Sequence, residues 1–153
     1  MQNLKHSLKK LLALSLAVLM LSSCGMTNAL YYWGGTQSGT TAYENLAYQS
    51  YDKQTPKSIC NLVAVYENMV TKPGGTRQVP PPGICAEYGY LLLKPETAET
   101  FLNYATPTQK KLFNTNDYSA LFLERGKEML QKEIELYPES AKFIEPLIKK
   151  LAR

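Results

Sequence analysis

The sequence predicts an all-α domain, and three observations point there. Apolar residues recur at helical spacing in one segment after another. Three of those segments open at a Thr followed by proline or by a glutamate three positions on, which are helix-start signals. No stretch sustains the period-two alternation of a half-buried strand.

Residues 1–23 are excluded from that domain. Leu11 to Leu21 is a run of eleven residues without a charge. At 1.5 Å rise per residue it reaches roughly 16 Å, about half a bilayer core. Lys5, Lys9 and Lys10 precede it and Ser22 and Ser23 follow, the order of a cleaved export signal. Leu21-Ser22-Ser23-Cys24 resembles the bacterial lipobox, in which an aliphatic and two small residues precede the cysteine that becomes the new N-terminus. That resemblance implies a thioether-linked diacylglycerol on Cys24 and a further acyl chain on its amine. Each buried CH₂ adds about 0.8 kcal/mol, so several chains make a lasting anchor where one alone is marginal.

The elements follow in order. Gly25 to Thr41 is rich in Gly, Thr, Ser and Asn and reads as a flexible tether, so the acylated cysteine and its tether span 24–41. Within it stands Tyr31-Tyr32-Trp33, which either meets headgroups or a partner, or folds back onto the core; packing is the favoured reading because an exposed cluster invites aggregation. Thr41-Ala42-Tyr43-Glu44 forms a capping box for a helix over 42–52, with Tyr43, Leu46, Ala47 and Tyr51 on one face. Thr55-Pro56 starts a second helix over 57–71, striped by Ile59, Leu62, Val63, Tyr66, Met69 and Val70. The glycines and prolines of 72–83 make a loop. A third helix resumes with Ile84, Tyr88, Leu91 and Leu92 and forms an αα-hairpin with the second. Pro95 opens another, grouping Ala98, Phe101, Leu102 and Ala105, and Thr106-Pro107 a short one. A longer helix from Asp117 to about Tyr137 carries Leu121, Leu123, Met129, Leu130 and Ile134. The last segment has a stripe of Phe143, Ile144, Leu147, Ile148 and Leu151, and Pro146 is expected to kink or break it.

Of the 17 Lys and Arg, three lie in the signal, leaving 14 against 13 acidic residues in a mature part of 130 residues, 153 less 23. That near neutrality offers no electrostatic reason to expect nucleic acid. His6, the only histidine, leaves with the signal, so triad catalysis and His-based zinc sites are excluded from the mature part. No metal, cofactor or catalytic residue is expected. Glu96 with Glu99, and Glu124 with Glu128, share helix faces suited to acid-base work, but solvated faces explain them better. "KPGGTR" lacks the spacing of a phosphate loop and is a turn.

Cys60 and Cys85 remain once Cys24 is acylated, and an oxidising compartment invites a disulfide. In a simple hairpin, however, they sit about 11 and two residues from the turn, an axial offset of roughly 13 Å against the 7 Å a bond tolerates. Two buried thiols are the favoured expectation.

Two parts of the chain resemble halves of a tetratricopeptide repeat. "ICAEYGYLLL", with Gly89, resembles the opening helix, and Gly126, Leu130 and Pro138 at offsets 0, 4 and 12 resemble the second. Glu133 stands where that family prefers alanine, and the helices between Pro95 and Phe113 would be an insertion. The resemblance implies a single tetratricopeptide-like domain over 42–153.

The order lipobox, "YYWGG", helices, "VPPPG", "GYLLL" and "ELYPESAKFIEPLIKKL" further resembles a family of small bacterial lipoproteins of unknown function, often encoded beside curli-secretion-type (CsgG-like) lipoproteins. That implies an outer-membrane, periplasm-facing lipoprotein, held by membrane lipid through its acylated N-terminus. It would act as a non-catalytic adaptor for an envelope partner, CsgG-like by this resemblance, with no nucleic acid involved. Gly25 after Cys24 agrees with outer-membrane sorting. The rival expectation is a cell-wall enzyme or enzyme activator working through carboxylates.

Overall fold

Helices leave their first N–H groups without partners, and most of these helices begin where a side chain supplies one. The structure is a computed structural model describing residues 29–37 and 39–151. Helix α1 (Ala42–Lys53) opens on the expected capping box: the Glu44 N–H donates to Thr41 Oγ1 at 3.2 Å and the Thr41 N–H to Glu44 Oε2 at 2.8 Å. Helix α2 (Pro56–Thr71) starts at Thr55, whose Oγ1 accepts the Ser58 N–H at 3.1 Å. Helices α3 (Ile84–Leu92) and α4 (Pro95–Tyr104) have no side-chain cap from their own N-cap residues. A second capping box, Thr106 with Gln109, starts the short α5 (Pro107–Lys110). Asp117 caps α6 (Tyr118–Leu136), and a 3₁₀ turn (Pro138–Ser140) leads into α7 (Ala141–Leu151). Among the described residues the protein is all-α apart from a two-residue ladder of β1 (Thr36–Gln37) and β2 (Thr40–Thr41), paired antiparallel.

Helices α2 and α3 form the expected antiparallel hairpin, fixed in register by Tyr66 against Glu87 and Glu67 against Tyr88. Helix α6 lies antiparallel on α3, with which it makes its most extensive contact. Gly83 meets Glu133 at one end of that pair, and Leu93 meets Gly126 nearer the other. At the crossing Gly89 faces Gly126 and Leu130, so the two half-motifs noted above are partners in space, with α4 and α5 inserted between them in sequence. A Cβ on Gly89 would stand 2.7 Å from the Gly126 carbonyl oxygen, and one on Gly126 2.6 Å from Leu93 Cγ. Helix α1 packs on α2, and α4 bridges α2 and α6.

Two aromatic groups fill the interior. Phe101, Phe113, Tyr118 and Phe122 meet largely edge to face, with centroids 5.2–6.4 Å apart. Trp33, Tyr43, Tyr66 and Tyr88 form a row stepping inward at 5.4, 6.0 and 5.6 Å.

Four expectations need correction. The described residues of the expected tether, 29–37 and 39–41, are not loose: the Thr76 and Arg77 N–H groups donate to the Ala29 and Leu30 carbonyls at 3.0 and 3.1 Å. Gly75, at φ 76°, lets this happen, since a Cβ there would fall 2.5 Å from the Leu30 oxygen. The folded body therefore includes residue 29 and does not begin at 42. Second, Leu123 on α6 is exposed while Phe122, Gly126, Met129, Leu130 and Glu133 are buried, because the face is centred on the glycine that touches α3. Third, Tyr51, Leu102 and Phe143 are exposed at the edges of their stripes, and Ser50 and Thr97 are buried instead. Fourth, of the kink or break expected at Pro146 the break does not occur, since α7 runs on through it to Leu151.

In an unconstrained helix Gly→Ala is favourable by about 1 kcal/mol. At the α3–α6 crossing the sign reverses: Gly89→Ala and Gly126→Ala are expected to destabilise by about 1–3 kcal/mol through overpacking. Urea denaturation checks this, and a midpoint raised by either change would contradict the close approach.

Candidate functional site

The interior holds carboxylates that an apolar-stripe reading passes over. Tyr66-Glu67 on α2 faces Glu87-Tyr88 on α3, and each pair serves the other: Tyr66 Oη donates to Glu87 at 2.6 Å and Tyr88 Oη to Glu67 at 2.7 Å. Tyr43 from α1 donates to the same Glu87 oxygen at 2.9 Å. Burial, reinforced by the Glu87 hydrogen bond, pushes the Tyr43 and Tyr66 phenols well above their ordinary range. Burial first and the Glu67 charge second do the same to Tyr88. On its far side Glu67 accepts from Arg125 at 3.0 Å, and Arg125 also forks onto Glu128 at 2.8 and 2.9 Å.

Glu133 is nearly fully buried and answers the uncapped start of α3. Its carboxylate accepts the Gly83 N–H at 2.7 Å and the Ala86 N–H at 3.3 Å, acting as an N-cap supplied by another helix. Burial raises its pKa, and these backbone donors oppose the rise only in part.

Between the end of α1, the first half of α2, the end of α3 and the start of α4 lies a cleft of about 220 Å³. Tyr51 and Tyr90 line it together with Tyr66; Ile59, Leu62 and Leu91 form an apolar wall; Glu87, Lys94 and Glu96 supply the charges. The arrangement can hold a small group by hydrogen bonding, charge and aromatic contact.

The residues singled out from sequence fall as follows. Cys24 and His6 lie outside the described residues. Trp33 packs on Tyr43, Tyr31 Oη accepts from Arg77 at 3.1 Å, and Tyr32 is partly exposed beside Gly74. Cys60 and Cys85 are free and buried, Cys60 Sγ lying 3.7 Å from the Thr100 carbonyl on α4. The Tyr66–Glu87 register separates the two thiols by about eight residues along the hairpin, roughly 12 Å. Burial raises both thiols, Cys85 to about 12 with help from the nearby Glu133 charge. Glu96 lines the cleft and Glu99 is exposed, while Glu124 and Glu128 border one surface hollow beside Arg125, which pairs with Glu128. Among the described residues no His, Cys, Asp and Glu group is suited to hold a metal, and no helix is long and apolar enough to cross a membrane. Sequence reasoning missed Glu67, Glu87 and Glu133. The available signal was the mirrored Tyr-Glu and Glu-Tyr, and a glutamate on the buried face of α6.

Two outcomes follow from this chemistry. Thiol reagents should label Cys60 and Cys85 in the denatured, unreduced mature chain but react slowly with the native fold; failure to label after denaturation would mean the two are bonded. Glu133→Ala should cost about 3 kcal/mol by stranding buried N–H donors, and Glu133→Gln, which keeps an acceptor, should cost less. The folded chain holds the Glu133 proton more tightly than the unfolded one. The advantage of the wild type over E133Q is therefore fully present below the unfolded carboxylate pKa, and it shrinks as pH rises through the folded value. Denaturant titrations at several pH values read this, and a gap widening with pH would refute it. No protein family matches the chain, and neither a curated protein nor a solved structure is significantly similar to it.

Proposed function

We propose that this protein is a lipid-anchored, periplasm-facing outer-membrane lipoprotein that serves as a non-catalytic adaptor, presenting its helical body to another envelope protein. The observation that carries the reading is the lipobox-like Leu21-Ser22-Ser23-Cys24 at the end of a short apolar run. Five residues on, the chain is already bonded to the domain at Ala29. Five residues span at most about 18 Å, so in this reading the edge bearing Tyr31, Tyr32 and Arg77 stays within reach of the headgroups.

The internal use of the buried acids supports the adaptor role. Glu67 and Glu133 are engaged by phenol, guanidinium and backbone donors that hold helices together. Exposed aromatic side chains, Tyr48 and Tyr104 among them, offer contact area of the kind interfaces favour. On the family resemblance, the partner sought first is a CsgG-like lipoprotein. A cell-wall enzyme or enzyme activator is the second reading, favoured by one observation: Glu87 and Glu96 line the same cleft.

The test is mass spectrometry of the N-terminal peptide from the membrane fraction, joined to affinity capture from detergent-solubilised envelopes. The expected peptide begins at Cys24 and carries acyl chains, Cys24→Ala abolishes that processing, and capture recovers another envelope protein. A peptide still joined to residues 1–23 without acyl mass would overturn the anchor. Hydrolysis or remodelling of cell-wall fragments, lost in E87Q and E96Q, would replace the adaptor reading with the enzymatic one.

A further inference from the structure

We propose that the cleft between α1 and α4 is a binding site for an aliphatic ammonium group, either a small free amine or the side chain of a lysine. The inference goes beyond the adaptor reading and does not depend on the anchor. Glu87 is the fixed point of the site. Its Oε2 takes both phenolic hydrogens, from Tyr66 at 2.6 Å and Tyr43 at 2.9 Å, which hold the carboxylate still. Its Oε1 accepts nothing from the described residues, and an ionised carboxylate has about four lone-pair directions to fill. The group is therefore oriented by the protein with capacity left for a donor.

The surroundings select the kind of donor. Tyr51 and Tyr90, 67 % and 54 % exposed, line the cleft, and the faces of aromatic rings attract ammonium groups. The Glu87 charge reaches Tyr51, raising its phenol after burial has done most of the work, so ring and carboxylate share one field. Lys94 already makes an ammonium–ring contact at the edge of the cleft, its Nζ lying 5.4 Å from the centre of the Tyr90 ring. Against the two carboxylates that line the cleft, Glu87 and Glu96, stands this one lysine, which leaves a net negative charge for a second cation to meet. Ile59, Leu62 and Leu91 provide an apolar wall for methylenes. A volume of about 220 Å³ lies below the roughly 300 Å³ at which drug-sized pockets begin, and it suits a single side chain or a short diamine.

The experiment titrates the mature chain with 1,5-diaminopentane and with Nα-acetyl-lysine methylamide, following the tyrosine ring signals by NMR. The Nε-acetylated lysine derivative is the neutral control. Both ammonium probes are expected to bind saturably and the neutral one at least about tenfold more weakly. The tighter of the two charged probes tells a free amine from a protein side chain. Glu96→Gln and Tyr90→Leu alter exposed residues, and each should weaken binding about two- to fivefold while circular dichroism shows the helices intact. Glu87→Gln should weaken it about tenfold, with circular dichroism reporting whether the helices persist. Absence of saturable binding by either ammonium probe would overturn the proposal, as would equal binding of the acetylated control or unchanged affinity in both E96Q and Y90L.

Discussion

Because Gly89 and Gly126 carry no side chain, the backbones of α3 and α6 approach until a single added carbon would collide with a carbonyl. That close approach positions what surrounds it. It brings Glu133 of α6 within hydrogen-bonding reach of the first N–H groups of α3, a helix whose own Gly83 offers no cap. It also lets Arg125, one residue before the contact glycine, reach across to Glu67 on α2. Three helices are thus joined by one contact and the polar bonds on either side of it.

Those polar bonds carry a cost as well as a gain. Burying Glu67 and Glu133 carries a desolvation cost that their hydrogen bonds repay only in place, and a buried charge stripped of its partner costs about 3–5 kcal/mol. A slip of the α2–α3 hairpin by one turn would part both tyrosine–glutamate pairs at once, whereas the apolar stripe alone would tolerate it. The mirrored order of the residues, Tyr66-Glu67 and Glu87-Tyr88, is what makes the pairing reciprocal. The row from Trp33 through Tyr43 to Tyr66 extends the same lock outward to the chain's first described segment.

Much of the helical layout was legible because it rests on local chemistry. Thr41, Thr55 and Thr106 mark helix starts through bonds within their own turn, and Pro56, Pro95 and Pro107 sit where a missing N–H is harmless. What failed depended on distant partners. Leu123 and Leu102 look inward by spacing, but the contact faces are set by Gly126 and by Thr97, Ala98 and Phe101. Residues 29–41 have the composition of a tether, and nothing local reveals that Gly75 leaves room for Leu30. Helix α3 lacks a start signal because its cap lies 47 residues away from Ala86 in sequence, at Glu133. The cleft is not legible for the same reason: its residues come from four helices, and nothing in the sequence near Glu87 marks the two phenols that hold it.

The docking of Ala29 and Leu30 onto Thr76 and Arg77 has a mechanical meaning. Tension applied at the N-terminal end enters the body at the 72–83 loop, well before it can act on α1. That loop ends at Gly83, where Glu133 grips the start of α3. A pull from that side would be shared among the two backbone bonds, the Arg77–Tyr31 contact and the Trp33 ring before the first helix carried load, so the segment works as a strain relief, like the knot that keeps a cord from tugging on its terminals.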